Sequence, residues 1–537
     1  MAENTAQVSA LARVQAYHER SKHRLGAYAA GPETLDWDAQ PDPFRRFAGA
    51  PITSLPLKAA DEAIGWNQLF EPGREAFPAN LAQIGRLFEC SFALSAWKEL
   101  GPDRWALRVN PSSGNLHPTE VYLVAQGLPD LADGVYHYAP KEHALEQRAA
   151  FASPATAPRL LVGFSSIHWR EAWKYGERAF RYCQLDMGHA IGALRYAAAL
   201  LGWRVRELGL GHGELAALMG LDRAADFQNA EGEEAESVFE LCFDAANAPP
   251  LDPRAMLADA CWFGQANRLD AHPMYRWPVI DAVAKASRRL TAIPTATLPP
   301  LTRRTLLPGS TAQASQLIRQ RRSAQRFDRS ARTHTTALWP LLAALMPAGQ
   351  LPWDMGDEYA QVHAVLFAHR VDGLAPGAYL LPRNTTARAR LQTALPQLAW
   401  KPVEACPAEL PLVELALNPA LAGTLRTLSC HQAIGADAVF VIALLAELPT
   451  PESDAPWRYR ERLREAGLIG QVLYLEAEAA GLRGTGIGCF FDDPVRELLG
   501  LGAPGTEAWQ VLYHFSVGLP VTDARIASTP PYPEPRP

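Results

Sequence analysis

Two stretches of the chain repeat one pattern of apolar and polar positions. Tyr175 to Asp222 and Tyr459 to Gly502 each read as a long helix rich in Ala and Leu, a Gly-containing loop, and a short helix ending in Leu-x-Gly-Leu. Gly220 and Gly500 align, 500 − 220 = 280 positions apart. Upstream, EVYLVAQ from Glu120 and VHAVLFAH from Val362 are strand-like runs of apolar β-formers, followed by DGVYHY (Asp133 to Tyr138) and PGAYLL (Pro376 to Leu381). Later, VFELCFD (Val238 to Asp244) and WQVLYHFSVG (Trp509 to Gly518) predict strands. Each half therefore predicts an α+β fold, with helices packed on a small, mostly antiparallel sheet. The run SRRLTAIPTATLPPLTRRTLLP, Ser287 to Pro308, is rich in Pro and Thr with no helical period. It divides the chain into residues 1–285, a linker at 286–308, and residues 309–537. Because two-fold pairing is the commonest oligomeric arrangement, the two copies are expected to pack as an internal pseudo-dimer.

Composition narrows the function classes. The 537 residues carry a formal net charge of -6, with a sequence pI near 6.2. A general nucleic-acid binder would need a basic surface. The first residues contain no apolar signal-like region, and no uninterrupted apolar run of about 18 residues exists, so no membrane span is expected. Seven cysteines are scattered singly, with no CxxC pair, which fits a reducing cytoplasm rather than a zinc or disulfide framework. Histidines 117, 137, 143, 168, 189 and 212 show no ligand spacing, so no metal site is expected. GTGIG and GLGHG lack the spacing and strand context of a dinucleotide-binding loop.

Two polar segments stand out. VNPSSGNLHP, Val109 to Pro118, cannot lie inside a helix and reads as a loop presenting hydroxyls, an amide and backbone N–H groups. IRQRRSAQRFD, Ile318 to Asp328, sets Arg321, Ser323 and Gln325 at alternate positions. An extended segment would turn these three one way, and an Arg fork with a Ser hydroxyl suits phosphate oxygens. Taken alone, the same segment reads better as a solvated basic helix end.

RRSAQRFD at the start of a domain, PSSGN in a loop and GLRGTGIG after a long helix together resemble the nitroreductase superfamily of FMN enzymes. The resemblance implies that the opening segment holds the flavin phosphate and ribityl chain. It implies that the PSSGN loop reaches the flavin from the opposite protomer of a domain-swapped dimer, and that the loop after the long helix offers N–H groups near flavin N5. In this chain the two protomers would be its two halves, with one FMN between them. Arg321, Ser323, Gln325, Gly486, Ile487 and Gly488 would come from the second half, and Pro111, Ser112, Ser113, Gly114 and Asn115 from the first. Gln325 departs from the family's usual Lys or Arg, so the phosphate would lean on Arg321 and on Arg525 of the tail. At the mirror position the first half aligns Glu19, Ser21 and His23, a carboxylate where phosphate should sit, and the second half has no PSxxN loop.

WKYGERAFRYCQLDMGHA, Trp173 to Ala190, is similar to the SagB-type dehydrogenases, which oxidise azolines in peptide natural products. That branch implies Lys174 and Tyr175 as candidates for the catalytic base, with a small molecule or modified peptide as substrate. As plain residues, Lys174 and Arg178 also read as solvated positions at a helix start. An NAD(P)H-dependent nitro or quinone reductase, and a flavin-binding or scaffolding protein without turnover, are the alternatives. NAD(P)H or oxygen would be the redox partner.

Overall fold

A computed structural model describes residues 9–57, 64–152, 157–243, 251–295, 297–347, 349–356, 360–415, 421–450, 455–503 and 505–532. The strands that matter here are β1 (Leu94–Leu100), β2 (Asp103–Arg108), β3 (Thr119–Gln126), β4 (Gly134–Ala139), β5 (Arg159–Ser166), β6 (Arg204–Glu207), β7 (Glu234–Cys242), β8 (Val362–Ala368), β9 (Gly377–Leu381), β10 (Phe440–Glu447), β11 (Arg483–Ile487), β12 (Trp509–Gly518) and β13 (Ala527–Thr529). The helices that matter here are α1 (Ala10–Arg20), α2 (His168–Tyr175), α3 (Ala179–Leu200), α4 (Ala314–Gln320), α5 (Leu421–Leu428) and α6 (Arg458–Ala479).

The antiparallel order β4-β3-β5-β7-β6 in the first half recurs as β9-β8-β10-β12-β11 in the second, with short strands extending the outer edge of each sheet. Every residue of β5 is buried, as is nearly every residue of β3, β8 and β10. Strands covered on both faces lose the apolar-polar alternation, which is why these runs are continuously apolar.

Helices α3 and α6 lie between the sheets and pack on each other. All residues of α3 and most of α6 are buried, and their charged side chains are met by buried partners, as in Arg195 with Asp354, Arg460 with Glu234 and Glu236, and Glu476 with Arg304. The helices touch backbone to backbone at Gly188 and Gly467. A Cβ on Gly188 would sit 2.0 Å from the Arg464 carbonyl oxygen, and one on Gly467 would sit 2.0 Å from that of Leu185. This crossing relates the halves at 467 − 188 = 279 positions, close to the interval read from the repeat.

Three features correct the expectations. The run RGTGI is strand β11, paired with β12, and not a loop. The described residues of 287–308 form no regular structure but are packed down: Ile293 N–H donates to Gly209 O, and Arg304 forms a buried bidentate ion pair with Glu476 at 2.7 Å. The C-terminal tail crosses to the first half, where β13 pairs with β1 and the Tyr532 hydroxyl donates to Pro140 O.

Candidate functional site

A cavity of about 470 Å³ opens between the halves. From the first half come the β2-β3 loop, Tyr175 at the end of α2, and Tyr182, Asp186 and His189 on α3. From the second come the extended segment after α4, strand β11 with Gly488 and Cys489, and Tyr474 and Tyr513. Pro111, Ser112, Ser113, Gly114, Asn115, Arg321, Ser323, Gln325, Gly486, Ile487 and Gly488 all line it, so segments some two hundred positions apart meet at one site.

The β2-β3 loop is held from below by Asp186. Its carboxylate accepts the Ser113 N–H at 2.9 and 3.0 Å and the Ser113 hydroxyl at 2.9 Å. Gly114 and Asn115 both adopt left-handed backbone, with φ of 59° and 62°. Gly114 is also the closest approach to Tyr175, whose hydroxyl would lie 2.4 Å from a Cβ there. Burial pushes the Asp186 carboxyl up to about 7, although hydrogen bonds from Ser112 and Ser113 oppose the shift. Burial also pushes the Tyr175 phenol well above its ordinary value, with Glu171 adding to it. His189, which contacts Gln471 and Tyr513, is pushed down to about 3 by burial and by Arg321, and so stays neutral.

On the opposite wall the Ala324 N–H donates to Gly484 O, which lays the Arg321–Gln325 segment along the free edge of β11. Arg321 is buried over the Tyr474 ring, its guanidinium carbon 4.9 Å from the centroid. Its Nε donates to Val109 O at 3.0 Å, tying it to the first half's loop, while Nη1 is buried with no hydrogen-bond partner among the described residues. Ser323 Oγ and Tyr474 OH are 2.8 Å apart, and the Gly486 N–H donates to the same phenol oxygen at 3.0 Å. Side chains at Gly486 and Gly488 would strike Tyr513 and Tyr182, at 1.8 and 2.3 Å.

The sequence reading missed three cations here. Lys98 on β1, Arg322 and Arg483 line the cavity beside Arg321. Burial, then Arg321 and Arg483, push Arg322 down to about 10; burial, then Arg322 and Arg483, lower Lys98. Among the described residues, only Arg483 has an acid directly on it, Glu478 at 2.8 Å, so the group is an excess of positive charge facing the cleft. Arg322 adjoins the segment that sequence singled out, but the assumption that alternate residues face one way hid it. Asp186, Tyr182, Tyr474 and Tyr513 were also missed, each looking like an ordinary core position.

Two expected residues do not line the cavity. Arg525 is exposed and paired with Asp523 at 2.7 Å. Lys174 is half-buried behind Tyr175, with Nζ 5.4 Å from both the Trp37 and Tyr175 ring centroids; burial lowers its pKa.

The mirror cleft is smaller, about 110 Å³. At the 279-residue interval, Glu207 and Glu461 stand where the first cleft has Gly486 and Tyr182, and Ile293 and Pro294 from the 287–308 segment fill the opening. Where Tyr474 meets Ser323, the equivalent Arg195 holds Asp354 in a buried bidentate pair at 2.8 Å. The expected alignment of Glu19, Ser21 and His23 with this position is not what the structure has. Glu19 pairs with Lys22 and Arg24 at the end of α1, and His23 bridges to Phe491 on the far side of Gly488.

The fold and site define an α+β protein with a composite, cation-rimmed cleft between two similar sheets. The fold is nitroreductase-like. It superimposes on a crystal structure from Anabaena variabilis, described provisionally as a nitroreductase, with a TM-score of 0.67, 21% identity, and 95% of this chain and 99% of that one covered. A Methanocaldococcus jannaschii protein, also provisionally a nitroreductase, is 27% identical over 138 residues, covering 23% of this chain and 66% of that protein's length. A chain of the Escherichia coli microcin synthetase McbBCD complex, solved with truncated pro-MccB17 bound, overlaps 44% of this chain at 19% identity; its TM-score of 0.26 is too low to bear on function. No family model matches the chain. Among the described residues no helix is long and apolar enough to cross a membrane.

Proposed function

We propose that the chain is an FMN-dependent oxidoreductase, built as two nitroreductase-like domains (1–285 and 309–537) in an internal pseudo-dimer, with one flavin in the composite cleft. The observation that carries this reading is the convergence on one cavity of every expected cofactor residue except Arg525. The donor set fits the cofactor. The unpartnered Arg321 Nη1, with Lys98 and Arg322, would hold the phosphate by charge-assisted contacts. Ser323, Gln325 and the β2-β3 loop offer hydroxyls and amides for the ribityl chain, and the backbone from Gly486 to Gly488, with Tyr513 and Tyr182 packed against its two glycines, forms the wall along which a flat ring would lie. FMN would supply the two-electron redox step.

The chain's own groups set the proton chemistry. Asp186, poised near neutrality beside the loop, is suited to hold or release a proton. Tyr175 keeps its proton and is suited to donate a hydrogen bond into the cleft, and Lys174 would act through Tyr175. The finer reading is a SagB-type dehydrogenase or oxidase acting on a small molecule or modified peptide, supported by the Lys174-Tyr175 pair in WKYGERAF. The test is flavin stoichiometry on the purified chain. One FMN per chain supports a single composite site; two would mean that the mirror cleft also binds. None, after soaking with excess FMN, would sink the enzyme reading and leave a scaffold. Rapid bleaching of bound flavin by NAD(P)H would favour a nitro or quinone reductase over a dehydrogenase, with oxygen as the other redox partner to test.

A further inference from the structure

Cys489 follows Gly488 in the cavity wall, and the Phe491 N–H donating to Leu428 O at 2.8 Å sets the Cys430 turn beside it, close enough for each thiol to perturb the other. The two come from different places: Cys489 from the end of β11, Cys430 from the turn after α5. That turn is unusual. Cys430 and His431 are consecutive non-glycine residues in left-handed backbone, with φ of 51° and 61°. Side chains disfavour this region, and such strain persists only where surrounding contacts impose it. Here Gln432 Nε2 donates to Cys489 O at 3.2 Å, and the Phe491 N–H donates to Leu428 O, locking the turn against the Cys489 segment.

The first half supplies the charge environment. Arg178 donates from Nε and Nη2 to Gly488 O, at 3.2 and 3.0 Å, and pairs with the buried Asp492. His23 Nδ1 accepts the Ala29 N–H at 2.9 Å, so the neutral ring carries its proton on Nε2, and the ring favours the Cys489 thiolate. Tyr28, Tyr175 and Tyr182 are the other titratable groups facing the pair. Cys430, then His23 and Arg178, make Cys489 the more acidic thiol, against the opposing effect of burial. Both residues are partly exposed.

We propose that Cys430 and Cys489 form a dithiol/disulfide couple in the cavity wall that is oxidised by small-molecule disulfides. Cys489 thiolate attacks one sulfur of R–S–S–R, forming a mixed disulfide and expelling RS⁻. Cys430 then loses its proton and attacks the Cys489 sulfur, closing the protein disulfide and expelling a second RS⁻. Two protein thiols give up two electrons and two protons, and the small disulfide is reduced to two thiols. The couple stands independently of flavin.

The test uses the full chain, bis(2-hydroxyethyl) disulfide as oxidant, and peptide mapping without reductant. The expected result is a cross-linked peptide joining Cys430 and Cys489, with loss of two of the seven thiols. Each unit of pKa depression gains about tenfold in thiolate and returns about threefold in nucleophilicity. Iodoacetamide near pH 6 should therefore alkylate Cys489 at least about threefold faster than the exposed Cys261. Cys430→Ser should stop at the mixed disulfide on Cys489, and Cys489→Ser should give neither product. If Cys489→Ser fails to fold, the trapped adduct in Cys430→Ser still decides. Oxidation confined to Cys261, a cross-link that forms only in denaturant, or no adduct in Cys430→Ser would overturn the proposal.

Discussion

Replacing Asp186 by Asn removes a carboxyl that folding holds at about 7, against an ordinary value of 3.8. The folded state binds the proton more tightly than the unfolded chain, so this group adds stability at low pH and loses it as pH rises from about 4 to 7. Each pKa unit is 1.36 kcal/mol, and the shift of about three units amounts to about 4 kcal/mol over the whole window. Between pH 5 and 8 the group should cost the wild type about 2.5 kcal/mol. Asn keeps a carbonyl to accept from Ser113 and has no charge to bury, so the variant should lack that loss. The assay is urea unfolding of the flavin-free protein at several pH values, with the difference between wild type and Asp186→Asn taken at each. Parallel curves would refute the argument, because Asp186 would then titrate alike in both states. A difference running the other way would mean that the Ser113 hydrogen bonds outweigh burial.

Arg321→Ala should weaken FMN binding by roughly 10- to 150-fold, the equivalent of about 1.5–3 kcal/mol for a charge-assisted contact, read by fluorescence titration. Lys98→Ala should cost less, and should reduce the salt dependence of FMN affinity measured across an ionic-strength series. Gly486→Ala places a Cβ against Tyr513 and should lower flavin content together with about 1–3 kcal/mol of stability, checked by absorbance and thermal melting. Gly467→Ala forces α6 off the backbone of α3; the melting temperature should fall and the cleft should lose FMN, whereas unchanged flavin content would mean that the helix crossing does not set the cleft.

Much of the fold is legible because each buried strand is a short, continuous apolar run and each long helix is unbroken. The repeat survives because both sheets need the same strand order around the same helix. Strand β11 is hidden because Arg-Gly-Thr-Gly-Ile has few β-formers; its pairing is imposed by β12 and by the segment ending in Ala324. The PSSGN loop and the Arg321 segment were readable from polar residues in positions where a core would not tolerate them. The rest of the site was not. Asp186, Tyr182 and Tyr474 lie on helices whose other residues are core, and nothing local separates a buried phenol that meets a cavity from one that meets a leucine. Arg525 enters the expectation only because the implied phosphate lacks a cation, and Lys98, from the other half, lines the cavity where it would meet that need under the proposed function. The mirror cleft is closed chiefly by Asp354 and the 287–308 segment, neither of which lies at the aligned position.

The tail strand β13, lying on β1, and the packed segment 287–308 lash each half to the other. Both walls of the cleft belong to one covalent molecule, so their encounter is unimolecular and their effective concentration is fixed by the tether rather than by expression level. A cleft shared by two separate subunits empties as they dissociate on dilution. This one should keep its geometry at any concentration at which the chain is folded.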